Sequence, residues 1–250
     1  MKLTWHVEPQ DIQRVRAFVE QYRGNAFVQL RLKRNVEGGK PEVTKENFWQ
    51  AMVACLLTTQ QRSGPGSAVT RLINTEPFPL SLSTCEQQSD LEQFARTVLT
   101  DSGGLRRTNI IAREMADNIR HFEAESWADT YQVVESLRLS ASIPVERQAA
   151  YFIAERYKGF GPKQSRNLLQ SLGLTRYEIP LDSRIVKWLH DFGFPLKVSA
   201  SALADPHYYE FVMDGIQLVC AQSDLYPCVL DAAIFASFDG DGWTVENAIW

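Results

Sequence analysis

Two glycines on either side of one phenylalanine, Gly159-Phe160-Gly161, constrain this chain more than any other residues. Pro162 and Lys163 follow at once. Glycine tolerates positive φ, so both glycines can occupy a tight turn that would strain other residues. Proline suits the first helical position, where its missing N–H has no partner to lose. The pattern predicts a helix over residues 144–157, a tight corner, and a second helix beginning near residue 162. At such a corner several backbone N–H groups point outward from a helix N-terminus, which makes a seat for an anion. A plain helical corner that uses glycine only for geometry would give the same turn. The surroundings narrow the choice: Lys163 is the next side chain, and Asp182, in Pro180-Leu-Asp-Ser-Arg184, opens the following helix.

The rest of the chain is mostly helical pattern. Residues 9–22 place Ile12, Val15, Phe18 and Val19 at helical spacing. Thr44 is a good N-cap for a helix over 45–61, whose core face is Phe48, Met52, Cys55 and Leu56. That helix runs out at Gln60 and Gln61, before Gly64-Pro-Gly66. Further helices are predicted over 67–74, 91–99, 107–122, 126–139, 182–192, 206–222 and 225–237. Residues 25–34 alternate, with Phe27, Gln29 and Arg31 against Val28, Leu30 and Leu32, and are predicted as a strand or an extended arm.

A chain of 250 residues can bury one large core or two small ones without a staple. Net charge is −4, yet residues 156–187 carry seven basic side chains against two acidic ones. A local basic face on an acidic body suits a footprint of a few phosphates. The four cysteines are scattered among apolar neighbours, as reduced core thiols would be, with no zinc-type pairing. The histidines are too dispersed for a metal site, and no nucleotide-binding glycine loop is present, so no cofactor is expected. No apolar run is long enough for a membrane span or a leader, which makes a cytoplasmic location the expectation.

Gly159, Gly161, Lys163 and the downstream Asp182 together resemble the helix-hairpin-helix of the endonuclease III-like DNA glycosylase superfamily. The resemblance implies a mainly α fold of two helical domains flanking a cleft. Residues 46–175 would form a contiguous bundle ending in the hairpin, and 1–45 with 176–250 a second domain built from both chain ends. The closely spaced cysteines that hold an iron–sulfur cluster in many relatives are missing, so a member without the cluster is expected. The Gly-Phe-Gly-Pro-Lys-Gln-Ser run looks closest to the 8-oxoguanine branch, which also lacks it.

The same resemblance implies roles. Lys163 would attack C1′ of an extruded nucleotide and form a Schiff base. Asp182 would stabilise the sugar cation and take protons. Lys158, Gly159, Gly161, Arg166 and Arg184 would grip DNA. Gln60, with Gln61 next in line, would fill the hole left in the duplex. Trp250 and Trp49 are the expected base-pocket aromatics. The implied partner is double-stranded DNA containing a damaged base, bound by a monomer. A glycosylase for oxidised pyrimidines is one alternative, a non-catalytic DNA-binding hairpin module another, and a helical interaction protein without nucleic acid a third.

Overall fold

A computed structural model describes residues 3–239 and 242–244. Among the described residues the regular elements are all helical. In order they are α1 (Pro9–Tyr22), α2 (Ala26–Arg31), α3 (Lys45–Leu57), α4 (Ala68–Ile73), α5 (Leu82–Cys85), α6 (Leu91–Asp101) and α7 (Thr108–Asn118). There follow α8 (Ala124–Leu139), α9 (Ile143–Arg156), α10 (Pro162–Ser171), α11 (Ser183–Phe192), α12 (Pro206–Gln222) and α13 (Pro227–Asp239). Among the described residues no single helix is long and apolar enough to cross a membrane.

The buried side chains fall into two clusters. One runs from Val43 to Leu174 and fills the space among α3 to α10. The other joins Val15, Val19, Phe27 and Val28 to residues from Ile179 to Trp243, so the two chain ends share a core. Between the clusters the chain crosses once as Lys40-Pro-Glu42 and once as Thr175-Arg-Tyr-Glu178. The second crossing is held firmly. The Glu146 carboxylate accepts from the backbone N–H groups of Arg176, Tyr177 and Glu178 at 3.0, 2.7 and 2.9 Å. Burial still raises the Glu146 pKa against those three bonds. Asn35 reaches in from the other side and donates to Gln170 O and Thr175 O. This connector separates the helix that carries Lys163 from the helix that Asp182 begins, so its rigidity sets their relation.

One segment differs in kind from its expectation. Residues 25–34 are not a strand: Asn25 accepts from Phe27 N, starting α2, and a π-helical stretch, Leu32–Glu37, continues it. The sequence alternates, but the buried positions Phe27, Val28, Arg31 and Asn35 keep helical spacing. Packing decides the matter: the Phe27 ring stacks on Phe235 of α13 at 4.8 Å. The short α5 arises from Ser81, whose hydroxyl accepts from Thr84 N, and had no apolar period to announce it.

Candidate active site

The hairpin forms where α9 ends at Arg156 and α10 begins at Pro162. Gly159 sits at φ 85°, and a Cβ there would lie 2.5 Å from Leu56 Cδ2 and 2.8 Å from Glu114 Oε2. The corner therefore needs glycine twice over, for its dihedral and for its space. Asn118 fixes the turn from outside, accepting from Lys158 N at 2.8 Å and donating to Lys158 O at 2.9 Å. Gly161 is different. It takes an extended conformation open to any residue, φ −97° and ψ −168°, and a Cβ there would meet nothing within 4 Å. Positive φ is thus required at one of the two glycines only. What Gly161 leaves is emptiness at the head of a helix that has no side-chain cap.

Asp182 starts α11 as its N-cap: Oδ1 accepts from Arg184 N at 2.8 Å and from Ile185 N at 3.0 Å. Arg184 Nη1 lies 3.5 Å from Oδ2, and the Arg184 guanidinium rests 3.8 Å above the Phe235 ring. Lys163 and Asp182 line the same cleft, a space of 740 Å³. Such a volume is typical of small-molecule and cofactor sites.

Gln60 lies on the rim, exposed and in the left-handed region at φ 58°. Helix α3 stops at Leu57, four residues earlier than expected, because Thr58 caps it and Gln60 turns the chain away. A left-handed conformation in a residue other than glycine, asparagine or aspartate is uncommon and costs roughly 1–2 kcal/mol. Gln61 is engaged within the protein: its Oε1 accepts from Arg106 N at 2.8 Å and its Nε2 donates to Leu57 O. It staples the end of α3 to the loop before α7 while still lining the cleft.

Two expected site residues lie elsewhere. Arg166 is 1% exposed, pairs with Glu178 at 2.6 Å, donates to Pro162 O and stacks on the Tyr209 ring. It locks the connector and cannot grip a phosphate. Trp49 is fully buried in the first cluster, with its indole N–H donated to Leu80 O at 2.9 Å. Its helix turns that face to the core because Phe48, Trp49, Met52 and Val53 form one continuous apolar side. Trp250 lies outside the described residues. The basic face is also dispersed: Arg156 pairs with Asp129, Arg176 lies against Tyr177 and Tyr226, and Lys187 pairs with Asp191. Lys158 is exposed on the turn, and the cations on the cleft wall are Lys163, Arg184, Arg31, Arg62 and Arg106. Among the described residues no three His, Cys, Asp or Glu side chains could share a metal ion.

The floor of the cleft escaped the sequence argument. Asp231 and Phe235, one turn apart on α13, line it with Arg31 and Gln170. Asp231 is 7% exposed and accepts from Gln170 Nε2 at 2.5 Å. Burial pushes its carboxyl up to about 6, with Arg31 opposing and the Asp182 charge adding to the rise. The signal was present, for Asp231 is the lone charge among the apolar residues of Pro227-Cys-Val-Leu-Asp-Ala-Ala-Ile-Phe235. A buried carboxylate in a cleft is a functional candidate on electrostatic grounds.

No family model matches this sequence, and no curated protein sequence does. The fold has clear neighbours among solved structures. The 8-oxoguanine DNA glycosylase of Thermotoga maritima superposes with a TM-score of 0.67 at 16% identity, covering 92% of this chain and 98% of that one. The Methanocaldococcus jannaschii 8-oxoguanine glycosylase/lyase, solved with a 15mer DNA containing 8-oxoguanine, gives 0.65 at 15% identity, covering 92% of this chain and all of the other. A further structure of the Methanocaldococcus jannaschii 8-oxoguanine DNA glycosylase gives 0.62 at 16% identity, over 93% and 96% of the two chains. The chain has the all-helical fold of these 8-oxoguanine glycosylases.

Proposed function

We propose that this protein is a DNA glycosylase with associated lyase activity, acting on an oxidised purine of the 8-oxoguanine type in duplex DNA. The observation that carries the proposal is the convergence of Lys163 and Asp182, from the heads of two consecutive helices, on one nucleotide-sized cleft. The likeness in fold to glycosylases, one of them solved with DNA containing 8-oxoguanine, supports it.

The open N-terminus of α10 receives a backbone phosphate, with the Gly161 gap letting the anion approach the N–H groups. Such contacts position DNA without reading its sequence. The target nucleotide leaves the stack, and Gln60, exposed on the rim, takes its place. The base enters over the floor of Asp231 and Phe235, where a ring can stack on Phe235 and its N–H groups can be accepted by the carboxylate. Asp182 accepts a proton from the Lys163 ammonium, and the freed amine attacks C1′. The glycosidic bond breaks, and its electron pair leaves with the base, which takes up a proton. The sugar ring opens to a Schiff base between Nζ and C1′. Loss of a proton from C2′ expels the 3′ phosphate oxygen, and hydrolysis returns the lysine.

The test is borohydride trapping on a panel of single-lesion duplexes. A covalent adduct with 8-oxoguanine DNA that disappears in Lys163→Gln is the expected result. An adduct that survives in Lys163→Gln refutes the nucleophile, and one formed only with oxidised pyrimidines refutes the substrate.

A further inference from the structure

Beside Lys163 stands a side chain that the mechanism above leaves unused. Gln164 is 6% exposed and makes contacts in two directions. Its Oε1 accepts from Lys163 Nζ at 3.1 Å and from Asn167 Nδ2 at 3.4 Å. Its Nε2 donates to Cys55 O at 2.5 Å and to Thr59 Oγ1 at 2.6 Å. Chemistry dictates this orientation of the amide. Lysine offers only donors and a backbone carbonyl only acceptors, so the reversed amide would set like against like on both sides.

The second pair of partners matters most. Cys55 lies in the last turn of α3, and Thr59 lies in the turn just past its end, immediately before Gln60. Thr59 Oγ1 also contacts Cys55 O at 3.4 Å, so that hydroxyl joins helix end and amide in one chain of bonds. The lysine amine is thereby tied, through one buried carboxamide, to the segment that presents the left-handed rim residue.

We propose that Gln164 is a positioning residue that couples the two acts of the site. It holds the Lys163 amine in place for attack when the 58–60 turn carries Gln60 into the duplex. A nucleophile whose position depends on the segment that fills the vacated stack discriminates against undamaged DNA met in passing. A displacement of about 1 Å at a reacting atom lowers a rate by about a hundredfold, so a single bond of this kind is enough to gate the step. The inference rests on the glycosylase reading of Lys163.

The experiment measures single-turnover borohydride trapping and, separately, duplex affinity, for Gln164→Met, Gln164→Glu and Thr59→Val, each with its melting temperature. Gln164→Met and Thr59→Val are expected to slow trapping by about tenfold to a hundredfold with duplex Kd unchanged. Gln164→Glu sets a carboxylate beside the ammonium and should move the pH midpoint of trapping upward. In a double-mutant cycle, Gln60→Ala and Gln164→Met should be strongly non-additive, because each breaks the same linkage. Trapping that matches wild type in Thr59→Val, or an additive cycle, overturns the coupling. Should Gln164→Met fail to fold, Thr59→Val and its double-mutant cycle with Gln60→Ala decide alone. If wild type traps no adduct at all, it is the glycosylase reading that fails. If wild type traps normally and every variant equals it, the coupling fails and the glycosylase reading stands.

Discussion

The residue that caps α10 and the residue that caps α11 share one backbone conformation, φ −97° and ψ −168° at Gly161 against φ −94° and ψ −176° at Asp182. Both helices are ten residues long, and both heads line the same cleft. Yet α10 has no side-chain cap, whereas Asp182 fills the head of α11 with a carboxylate bonded to two of its N–H groups. A helix N-terminus carries partial positive charge and unsatisfied donors, so it attracts an anion. One head brings its own, and the other is left open. The pair teaches how a single local geometry can yield a filled helix head on one wall of the cleft and an open one, able to take an anion, on the other.

The largest expected effect comes from neutralising the filled head. Asparagine caps a helix about as well as aspartate, so Asp182→Asn should fold and melt close to wild type. It can neither accept a proton nor stabilise a sugar cation by charge, so excision should fall by about 10²–10⁴-fold. Single-turnover kinetics beside a melting curve separates the two roles. A protein that unfolds without losing specific activity would make Asp182 a cap and nothing more.

A second carboxylate sharpens the contrast, because Asp231 feels the charge of Asp182. Its carboxyl is raised to about 6 by burial first, with Asp182 adding and Arg31 opposing. A carboxyl raised in this way binds its proton more tightly in the folded state than in the unfolded one. Its contribution is full below the unfolded value of about 3.9 and is lost as pH climbs through the folded one. Asp231→Asn should therefore stabilise the protein more at pH 8 than at pH 4.5, by roughly 2 kcal/mol in unfolding experiments. In an Asp182→Asn background the same transition should move to lower pH. A gain independent of pH would mean that Asp231 is not strained by ionisation.

The hairpin and its aspartate were legible in the sequence because they rest on local rules: a dihedral only glycine tolerates, a proline at a helix start, an aspartate at a cap. The helical character of most of the chain was legible for the same reason, since its apolar period survives without knowledge of the partner. What could not be read was which residues a second element would cover. Arg166 sits beside Lys163 in sequence but is drawn inward by Glu178, twelve residues on, and Trp49 follows its helix face into the core. Residues 25–34 show alternation that α13 overrides. The pairing of Gln164 with Cys55 and Thr59 spans more than a hundred positions and leaves no mark in either segment.

The finest discrimination comes from making the two helix heads alike. Gly161 already has the dihedrals of Asp182, and a side chain added there meets open space, so Gly161→Asp should place a carboxylate on the α10 N–H groups as Asp182 does on α11. Replacing a glycine cap by aspartate stabilises a helix by a few tenths of a kcal/mol, and limiting the unfolded chain adds about as much. The same change closes the seat intended for phosphate and repels it. The variant should therefore melt slightly higher than wild type yet bind lesion DNA roughly tenfold more weakly. Its log Kd against log salt should flatten by about one phosphate's worth of slope. Gly161→Ala separates charge from bulk, for it fills the gap without an anion and should leave most of the slope intact. Unchanged affinity and slope in Gly161→Asp would show that DNA does not approach the head of α10, and the two helix starts would differ in sequence without differing in function.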